Sequence, residues 1–267
     1  MGAESRIKLV VLDWAGTAID FGCFAPVASF ARALERHGVR ATDEQVRRPM
    51  GLAKLDHLRA LLTIPDLAEQ WQTAQGRPWT EPDVERIYHQ DYIPLQLDAV
   101  AGHDRLVPGL LPVVEALRSA GRKIATTTGY FREAATRVFA SATAQGYVRD
   151  LDVLPDEVSA GRPAPWMIFR AMQTLDVFPP TAVVKVGDTL ADIAEGRNAG
   201  AWSIGVIASS SEVGLSEAGW NALGESERRK TADELHARFV RAGAHASIET
   251  LAELPGLIAR LEQKMQG

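Results

Sequence analysis

The sequence lacks the features that mark extracellular, membrane and nucleic-acid-binding proteins. Cys23 is the only cysteine among 267 residues, so no disulfide can form within the chain, which is typical of a reducing compartment. A basic excess is also missing, because 34 acidic residues outweigh 29 lysines and arginines. The apolar run after residues 1–8 is about six residues long, too short for a signal peptide or a membrane span. We therefore expect a soluble, cytoplasmic protein that binds neither nucleic acid nor membranes.

Internal repeats and low-complexity tracts are missing as well. The residues are 46% hydrophobic, 24% charged and 7% aromatic, which excludes collagen-like, disordered and coiled-coil chains. At ~100–200 residues per domain, the length predicts one large domain, or one domain that carries a smaller insert.

Short apolar runs alternate with helical patterns along much of the chain. Helical patterns at 110–120 and 190–199 end at Gly121 and Gly200, where a helix C-terminus favours glycine. This alternation predicts an α/β fold with a parallel sheet covered by helices on both faces. The runs that predict strands are 8–13, 123–128, 151–154, 182–187, 202–207 and 246–248.

One long stretch, from residue 21 to about 106, shows helical periodicity and no convincing strand. Further helical segments cover 55–62, 66–74 and 83–100, with Pro94 expected to kink or interrupt the last. We therefore expect an α-helical domain of residues 21–105, inserted into an α/β core domain of residues 1–20 and 106–267. The first apolar stripe of the insert ends at Gly38 and consists of Phe24, Val27, Phe30, Ala31 and Leu34.

Polar residues stand at the ends of several of the predicted strands. Asp13 ends the first strand, Thr128 ends the second and Asp188 follows the fourth, with Asp192 one helical turn further on. Any one of them alone would also fit a helix cap or a turn. Because ligands bind outside the carboxyl ends of parallel strands, the set together indicates a site for a hard cation and a phosphate oxygen.

These residues resemble the ordered motifs of the haloacid dehalogenase superfamily. Asp13-Trp-Ala-Gly-Thr17 resembles the first motif, Thr128-Gly129 the second and Arg162 the third. The stretch 186–192 resembles the fourth, acidic motif. The resemblance covers nearly the whole chain and implies a Rossmann-like parallel-sheet core, with the helical insert as the cap domain of the family. It also implies that Asp13 is a nucleophile.

The chain departs from the usual phosphatase pattern at Ala15. In most phosphatases of the superfamily this position is a second aspartate, which protonates the leaving oxygen. An inactive member of the family is one interpretation. The other is a reaction whose leaving atom is carbon, as in a phosphonate, where an imine built on a lysine takes up the electrons.

Lys54 is the candidate for that lysine. Pro49 and Gly51 indicate a turn, after which Lys54 opens an apolar helix. A solvated surface lysine is the ordinary alternative. A helix N-terminus and apolar neighbours both lower the pKa of an ammonium group, as Schiff-base chemistry requires. These neighbours are Met50, Leu52 and Leu55.

Within the superfamily, the sequence closely resembles the phosphonoacetaldehyde hydrolase family. This resemblance implies Mg²⁺-dependent hydrolysis of the P–C bond of phosphonoacetaldehyde to acetaldehyde and phosphate, through a lysine Schiff base and an aspartyl phosphate. It also implies a homodimer formed through the cap domain. The segments that carry it are 13–17, 22–26, 49–54, 127–130, 160–163, 165–166 and 185–189.

The same resemblance implies roles for the matched residues. Asp13 is expected to be nucleophile and Mg²⁺ ligand, with the Ala15 backbone carbonyl and Asp188 as the other protein ligands. Lys54 is expected to form the Schiff base. Thr128, Gly129 and Arg162 would hold the phosphonate oxygens.

Further residues are expected to support this site. Asp192 would support the waters bound to the metal. His57, one helical turn from Lys54, would either relay its proton or be an ordinary surface histidine. The pocket lining is expected to include Met50, Cys23 and Tyr130.

Three other functions compete with this one. A phosphate-ester phosphatase or phosphomutase of the same fold would need an acid where Ala15 stands. A signalling receiver also carries a phospho-accepting aspartate at a strand end, but it is much shorter and has no helical insert. A catalytically dead binding protein is the third alternative.

Overall fold

A parallel β-sheet forms the centre of the computed structural model, which describes residues 6–265. Within those residues the sheet has six strands in the order β3-β2-β1-β4-β5-β6, and every neighbouring pair is parallel. Each of the predicted strands is present, which confirms the predicted fold class. The strands are β1 (Leu9–Leu12), β2 (Lys123–Thr127), β3 (Leu151–Val153), β4 (Val183–Gly187), β5 (Trp202–Val206) and β6 (Ala246–Ile248).

Six α-helices make up the predicted insert, residues 21–105, which follows β1. A π-helical turn, Ile87–Tyr92, joins the last two of them without a break. Pro94 closely follows this turn and has no N–H to donate to the preceding turn, so the predicted interruption takes the form of a π-helical turn. The helices are α1 (Phe24–Glu35), α2 (Asp43–Arg47), α3 (Lys54–Thr63), α4 (Pro65–Gln75), α5 (Glu81–Arg86) and α6 (Ile93–Val100).

The short helix α2 was missed from sequence, although a local signal for it exists. The Thr42 hydroxyl accepts a hydrogen bond from the Gln45 backbone N–H at 3.2 Å, and the Gln45 side chain accepts one from the Thr42 N–H at 2.8 Å. This reciprocal capping box satisfies two N–H groups that the helix start leaves unpaired.

The inserted helices enclose an apolar cluster of their own. Of the predicted stripe on α1, Val27, Phe30 and Leu34 are buried, whereas Phe24 and Ala31 are only half-buried. The buried stripe packs against residues from the other inserted helices, among them Leu58, Leu61, Trp71, Val84 and Tyr92. The insert thus has an apolar cluster of its own, and its boundaries at residues 21–105 stay a prediction.

Seven helices flank the sheet in the part of the chain that the structure describes after residue 106. Alternate residues of β1 enter different apolar clusters, Val10 and Leu12 on one face and Leu9 and Val11 on the other. Both faces of the sheet are therefore covered. The helices are α7 (Leu110–Ser119), α8 (Arg132–Ala144), α9 (Trp166–Thr174), α10 (Leu190–Asn198), α11 (Glu217–Ala222), α12 (Glu225–Arg241) and α13 (Leu254–Lys264).

Among residues 6–265, no helix combines the length and the apolar character needed to cross a membrane.

Candidate active site

One small cavity lies between the carboxyl edge of the sheet and the start of α3. Asp13 follows β1, Thr128 follows β2, and Lys54 is the first residue of α3. Most of the predicted site residues line this cavity; its lining is Asp13, Ala15, Cys23, Met50, Gly51, Lys54, Thr128, Gly129, Tyr130, Arg162 and Thr189. The predicted residues outside the lining are Asp188, Asp192 and His57.

Three buried carboxylates lie close together beside the cavity, and Asp13 is the one that lines it. One oxygen from each of Asp13, Asp188 and Asp192 lies within 4.8 Å of the others. Burial raises the pKa of Asp13, and burial together with the neighbouring Asp13 raises the pKa of Asp188 well above its ordinary value. Asp13 and Asp188 therefore both resist ionisation, and a cation bound between them would stabilise their ionised forms.

Arg162 binds two carboxylates of this cluster and a third one, Glu195, beside it. Its Nη2 lies 2.6 Å from Asp13 Oδ1, its Nη1 lies 3.0 Å from Asp192 Oδ1, and its Nε donates to Glu195 Oε2 at 2.9 Å. Nη2 also donates to the Thr127 carbonyl oxygen at 2.8 Å. The guanidinium is thus held in one orientation at the base of the cavity.

Lys185 and Glu195 belong to the same charge network and were missed as site residues. The fully buried Lys185 ammonium lies 3.0 Å from Asp192 Oδ1 and 3.1 Å from Glu195 Oε2. Although burial acts to raise it, the neighbouring Arg162 and Lys185 lower the pKa of Asp192. The signal in the sequence is a lysine inside the apolar run 182–187, because a buried ammonium requires an anionic partner.

The formal charges of the network fit a divalent cation. Four side chains are formally negative (Asp13, Asp188, Asp192 and Glu195) and two are formally positive (Arg162 and Lys185), which leaves a net charge of −2 among buried groups. Carboxylates are the protein ligands that Mg²⁺ prefers, and it commonly takes only one or two of them, with waters and substrate completing its shell. The Asp13, Asp188 and Asp192 carboxylates could therefore hold a metal ion.

The loop after β1 wraps closely around Asp188. A Cβ on Gly16, which has a φ of +85°, would lie 2.3 Å from Asp188 Oδ2, so only glycine fits there. The Thr17 hydroxyl donates to Asp188 Oδ1 at 3.3 Å. Ala15, in the same loop, also lines the cavity.

A run of three serines on the other side of Asp188 was also missed from sequence. We call residues 209–211 the serine loop; it follows β5. The Ser211 backbone N–H donates to Asp188 Oδ2 at 2.8 Å, and the Ser210 hydroxyl donates to the Asp188 carbonyl oxygen at 2.6 Å. The Ser209 hydroxyl donates to the Gly16 carbonyl oxygen at 2.6 Å. The serine loop therefore fixes both the side chain and the backbone of Asp188.

The segment before α3 lies directly against the loop after β2. A Cβ on Gly129 would lie 2.6 Å from the Leu52 carbonyl oxygen. A Cβ on Gly51, which has a φ of +93°, would lie 2.3 Å from Thr189 Oγ1. The segment before α3 thus approaches the core so closely at these two points that only glycine fits at either one. Thr128, beside Gly129, accepts a hydrogen bond from the Tyr130 N–H through its hydroxyl oxygen.

Lys54 lies inside this closed cavity. Its side chain is buried and the residue is 7% exposed, so the surface-lysine interpretation is wrong. Its Nζ lies 5.2 Å from the centre of the Tyr130 ring and 5.9 Å from that of Phe30. Burial lowers the pKa of Lys54, although the nearby Cys23 and Asp13 act in the opposite direction. The amine is accordingly easier to deprotonate than an ordinary lysine.

His57 is fully buried behind Lys54, which contradicts the surface-histidine interpretation. Its ring stacks on Phe30 with 3.8 Å between centres, and its Nε2 lies 2.8 Å from the Val46 carbonyl oxygen. Because a carbonyl only accepts hydrogen bonds, Nε2 carries the proton and Nδ1 is an acceptor. Nδ1 has no hydrogen-bond partner within residues 6–265, and burial lowers the pKa of His57 well below its ordinary value.

Comparison with known proteins identifies the class to which the fold and the site belong. The family model of haloacid dehalogenase-like hydrolases matches residues 7–200. The chain therefore belongs to this family and is a hydrolase. Within that class, it is grouped with the phosphonoacetaldehyde hydrolases by both sequence and structure.

The relatives that place it there match nearly the whole chain. A phosphonoacetaldehyde hydrolase of Bacillus cereus (strain AH187) is 42% identical over 259 residues, which are 97% of this chain and 98% of the relative. The enzyme of the same name from Bacillus thuringiensis subsp. konkukian is 41% identical over the same share of this chain. A crystal structure of a phosphonoacetaldehyde hydrolase-like protein from Oleispira antarctica is 34% identical, with a TM-score of 0.95, and the match covers 98% of this chain and 95% of that one.

A more distant solved structure shares the fold alone. A hydrolase from Pseudomonas syringae has a TM-score of 0.69 at 18% identity, and the match covers 95% of this chain and 98% of that one.

Proposed function

We propose that the protein hydrolyses the carbon–phosphorus bond of phosphonoacetaldehyde to acetaldehyde and phosphate in a Mg²⁺-dependent reaction. The observation that carries the proposal is a buried lysine with a lowered pKa, Lys54, in the same closed cavity as Asp13 and Arg162. Relatives named for this activity, 42% identical over 97% of the chain, support the same substrate.

The first step uses the Lys54 amine. The neutral amine attacks the aldehyde carbon of the substrate, and loss of water leaves a cationic imine whose neighbouring carbon carries the phosphorus. The lowered pKa of Lys54 favours the neutral amine, and the closed cavity keeps bulk water away from the imine.

The second step uses Asp13 as nucleophile. A carboxylate oxygen of Asp13 attacks phosphorus while the P–C bond breaks, and the bonding electrons pass into the imine to give an enamine. The enamine carbon takes up a proton, and water then releases acetaldehyde and restores the Lys54 amine. A second water hydrolyses the aspartyl phosphate, so the whole cycle consumes one water and one substrate.

Ala15 fits this chemistry better than phosphate-ester hydrolysis. An ester leaves through oxygen and benefits from an acid at this position, worth about 10²–10⁴ in rate. A carbon leaving group offers no oxygen lone pair to protonate, and the imine takes up its electrons instead. A methyl group at position 15 also keeps a further negative charge away from the phosphonate.

Mg²⁺ would be held by Asp13, Asp188 and the Ala15 backbone carbonyl, next to the net negative charge of the buried network. When bound, it supplies positive charge to the phosphonate oxygens. Arg162, anchored by Glu195 and Asp192, supplies a second positive charge, and Thr128 and Gly129 line the place for the remaining oxygens.

Roles for the remaining predicted residues follow from their positions. We assign Asp192 to orienting Arg162 and supporting the metal waters, since its Oδ1 lies between Arg162 and Lys185. The unpartnered acceptor Nδ1 supports a relay role for His57, which would pass the Lys54 proton on and not retain it, because burial disfavours the charged imidazole. Cavity lining is the role we propose for Met50, Cys23 and Tyr130.

A cytoplasmic location and a homodimer formed through the inserted helices stay predictions. Light scattering on the purified protein tests the dimer, with a mass of about twice 29.0 kDa as the expected result.

The reaction itself is tested by product analysis on the purified protein. With Mg²⁺ and phosphonoacetaldehyde, we expect equal amounts of acetaldehyde and phosphate. Simple phosphate monoesters should be cleaved at least about 100-fold more slowly, because Ala15 provides no acid. Monoester cleavage as fast as phosphonate cleavage would contradict the proposal and favour a phosphatase, and no product from either substrate would favour a binding protein.

A further inference from the structure

Arg47 connects the inserted helices to the serine loop. It is the last residue of α2, and its Nη1 donates to the Gly22 carbonyl oxygen at 2.6 Å and to the Ser211 carbonyl oxygen at 3.2 Å. Its guanidinium also lies over the Phe24 ring, with 5.2 Å from Cζ to the ring centre. One side chain therefore binds both the start of the insert, at Gly22, and a loop of the α/β core.

The chain after the serine loop is shaped around this side chain. A Cβ on Gly214, which has a φ of +68°, would lie 2.9 Å from Arg47 Nε. The backbone at Gly214 therefore packs against one side of the guanidinium. This packing and the two hydrogen bonds together fix the position of the group.

The serine loop passes this restraint on to Asp188. Ser211 makes both hydrogen bonds of this connection. Its carbonyl oxygen accepts from Arg47, and its backbone N–H donates to Asp188 Oδ2 at 2.8 Å. Asp188 is thus two hydrogen bonds away from a residue of the inserted helices. Arg47 itself does not line the cavity that holds Lys54 and Asp13.

We propose that Arg47 is a positioning residue, which sets the serine loop and thereby the Asp188 carboxylate when the inserted helices lie against the core. The inference rests on the proposed function, since it takes Asp188 as a Mg²⁺ ligand. Arg47 makes the metal site depend on closure of the insert, so that the site is complete only where Lys54 also reaches the substrate.

Simple electrostatics and loss of positioning predict opposite changes in Mg²⁺ affinity when Arg47 is removed. A positive charge near the carboxylate cluster repels a divalent cation, so its loss alone would tighten Mg²⁺ binding. Loss of positioning would weaken binding instead, because partners that orient metal ligands are typically worth about 10–100-fold in affinity or activity. The sign of the change therefore distinguishes the two roles.

The test is calorimetric titration of MgCl₂ into the full chain, without substrate, for the wild type and three variants. Arg47→Met removes the donors and keeps an unbranched apolar stem. Arg47→Lys keeps the charge but not the forked donors. Arg48→Met is the matched control, because Arg48 is adjacent, its side chain is 62% exposed, and its ion pair is with Glu44 of α2.

We expect the Mg²⁺ dissociation constant to rise at least about tenfold in Arg47→Met and by a smaller factor in Arg47→Lys. The Arg48→Met value should stay within about twofold of the wild type. The Mg²⁺ concentration that gives half-maximal turnover should shift in parallel. Circular dichroism and thermal unfolding establish that each variant is folded, and if Arg47→Met is not, the Arg47→Lys titration carries the test.

Unchanged or tighter Mg²⁺ binding in folded Arg47→Met would overturn the inference and leave the proposed function standing. The same holds if only Arg47→Lys folds and binds Mg²⁺ like the wild type. A wild-type chain that binds no Mg²⁺ would overturn both the inference and the proposed metal dependence.

Discussion

At the scale of single residues, burial sets the chemistry of the site before any substrate is present. The pKa of Lys54 is lowered and that of Asp188 is raised for the same reason, because a charged group loses solvation inside the protein. The neutral forms of both groups are favoured, which suits an amine that must attack a carbonyl. For the carboxylate, the ionised form requires a cation beside it.

Asp13→Asn tests the nucleophile at this scale. An amide is nearly isosteric but cannot attack phosphorus, so turnover should fall at least about a thousandfold, as loss of a catalytic nucleophile commonly does. The measurement is kcat/KM for phosphonoacetaldehyde, with circular dichroism to show that the fold is intact.

Asp98→Asn is the control for that variant, since Asp98 is exposed on α6 and far along the chain from the strand ends. It should keep wild-type activity. Turnover of Asp13→Asn within tenfold of the wild type would remove Asp13 from the mechanism.

Single residues also show where prediction from sequence stops. Asp13, Thr128 and Asp188 could be found because each lies at the end of an apolar run that predicts a strand, and parallel strands share one ligand-binding edge. Arg47 and Glu195 could not be found in this way. Ser211 lies 164 positions from Arg47, and Arg162 lies 33 positions from Glu195, and no local pattern encodes those contacts.

At the scale of elements, α3 carries two buried titratable side chains, one in the cavity and one against the apolar cluster of the insert. Lys54 begins the helix and His57 follows one turn later, both buried. The sequence predicted this helix and its first residue, because a turn precedes an apolar period. It did not predict α2, whose five residues are too few to show a helical period.

His57 should make the protein less stable in mild acid. Burial depresses the pKa of His57 in the folded state, so below pH ~6.5 only the unfolded chain takes up this proton. Neutral His57 makes its full contribution to the free energy of unfolding above pH ~6.5. This contribution is lost as the pH falls towards the pKa of His57 in the folded state, at up to about 1.4 kcal/mol per pH unit. Urea unfolding between pH 7.5 and about 5 measures this slope.

Replacing His57 by glutamine isolates its share. His57→Gln keeps a donor for the Val46 carbonyl oxygen but has no proton to gain, so its stability should fall less steeply with decreasing pH. His89→Gln is the matched control, because His89 is exposed on the π-helical turn, and its slope should stay close to that of the wild type. Equal slopes for His57→Gln and the wild type would show that His57 protonates equally in both states.

At the scale of the whole molecule, the inserted helices and the α/β core complete one cavity between them. Lys54 comes from the insert and Asp13 from the core, and the two parts approach each other closely at Gly51 and Gly129. The sequence predicted both parts, because their periodicities differ. It could not predict how closely they pack, since that depends on contacts between segments distant along the chain.

Mg²⁺ should stabilise the entire fold. The buried network carries a formal charge of −2, so a bound divalent cation relieves repulsion that only the folded state contains. At a Mg²⁺ concentration of about 100 times the dissociation constant, the gain is about 2.7 kcal/mol, which corresponds to a rise in Tm of about 5 °C for a chain of this length.

Differential scanning calorimetry with and without MgCl₂ measures this shift, and chelation should reverse it. Asp188→Asn should lose most of the shift, whereas Asp98→Asn should retain it. An equal Mg²⁺ effect on the wild type and Asp188→Asn would show that the ion binds elsewhere.

Reductive trapping of the imine tests the central claim most directly. Borohydride added during turnover should reduce the Lys54 imine to a stable amine and inactivate the enzyme only when phosphonoacetaldehyde or acetaldehyde is present. Mass spectrometry should find an added ethyl group on Lys54, and Lys54→Arg, which keeps the charge but has no nucleophilic amine, should show neither label nor turnover. A label on another lysine, or turnover without any substrate-dependent label, would contradict the account.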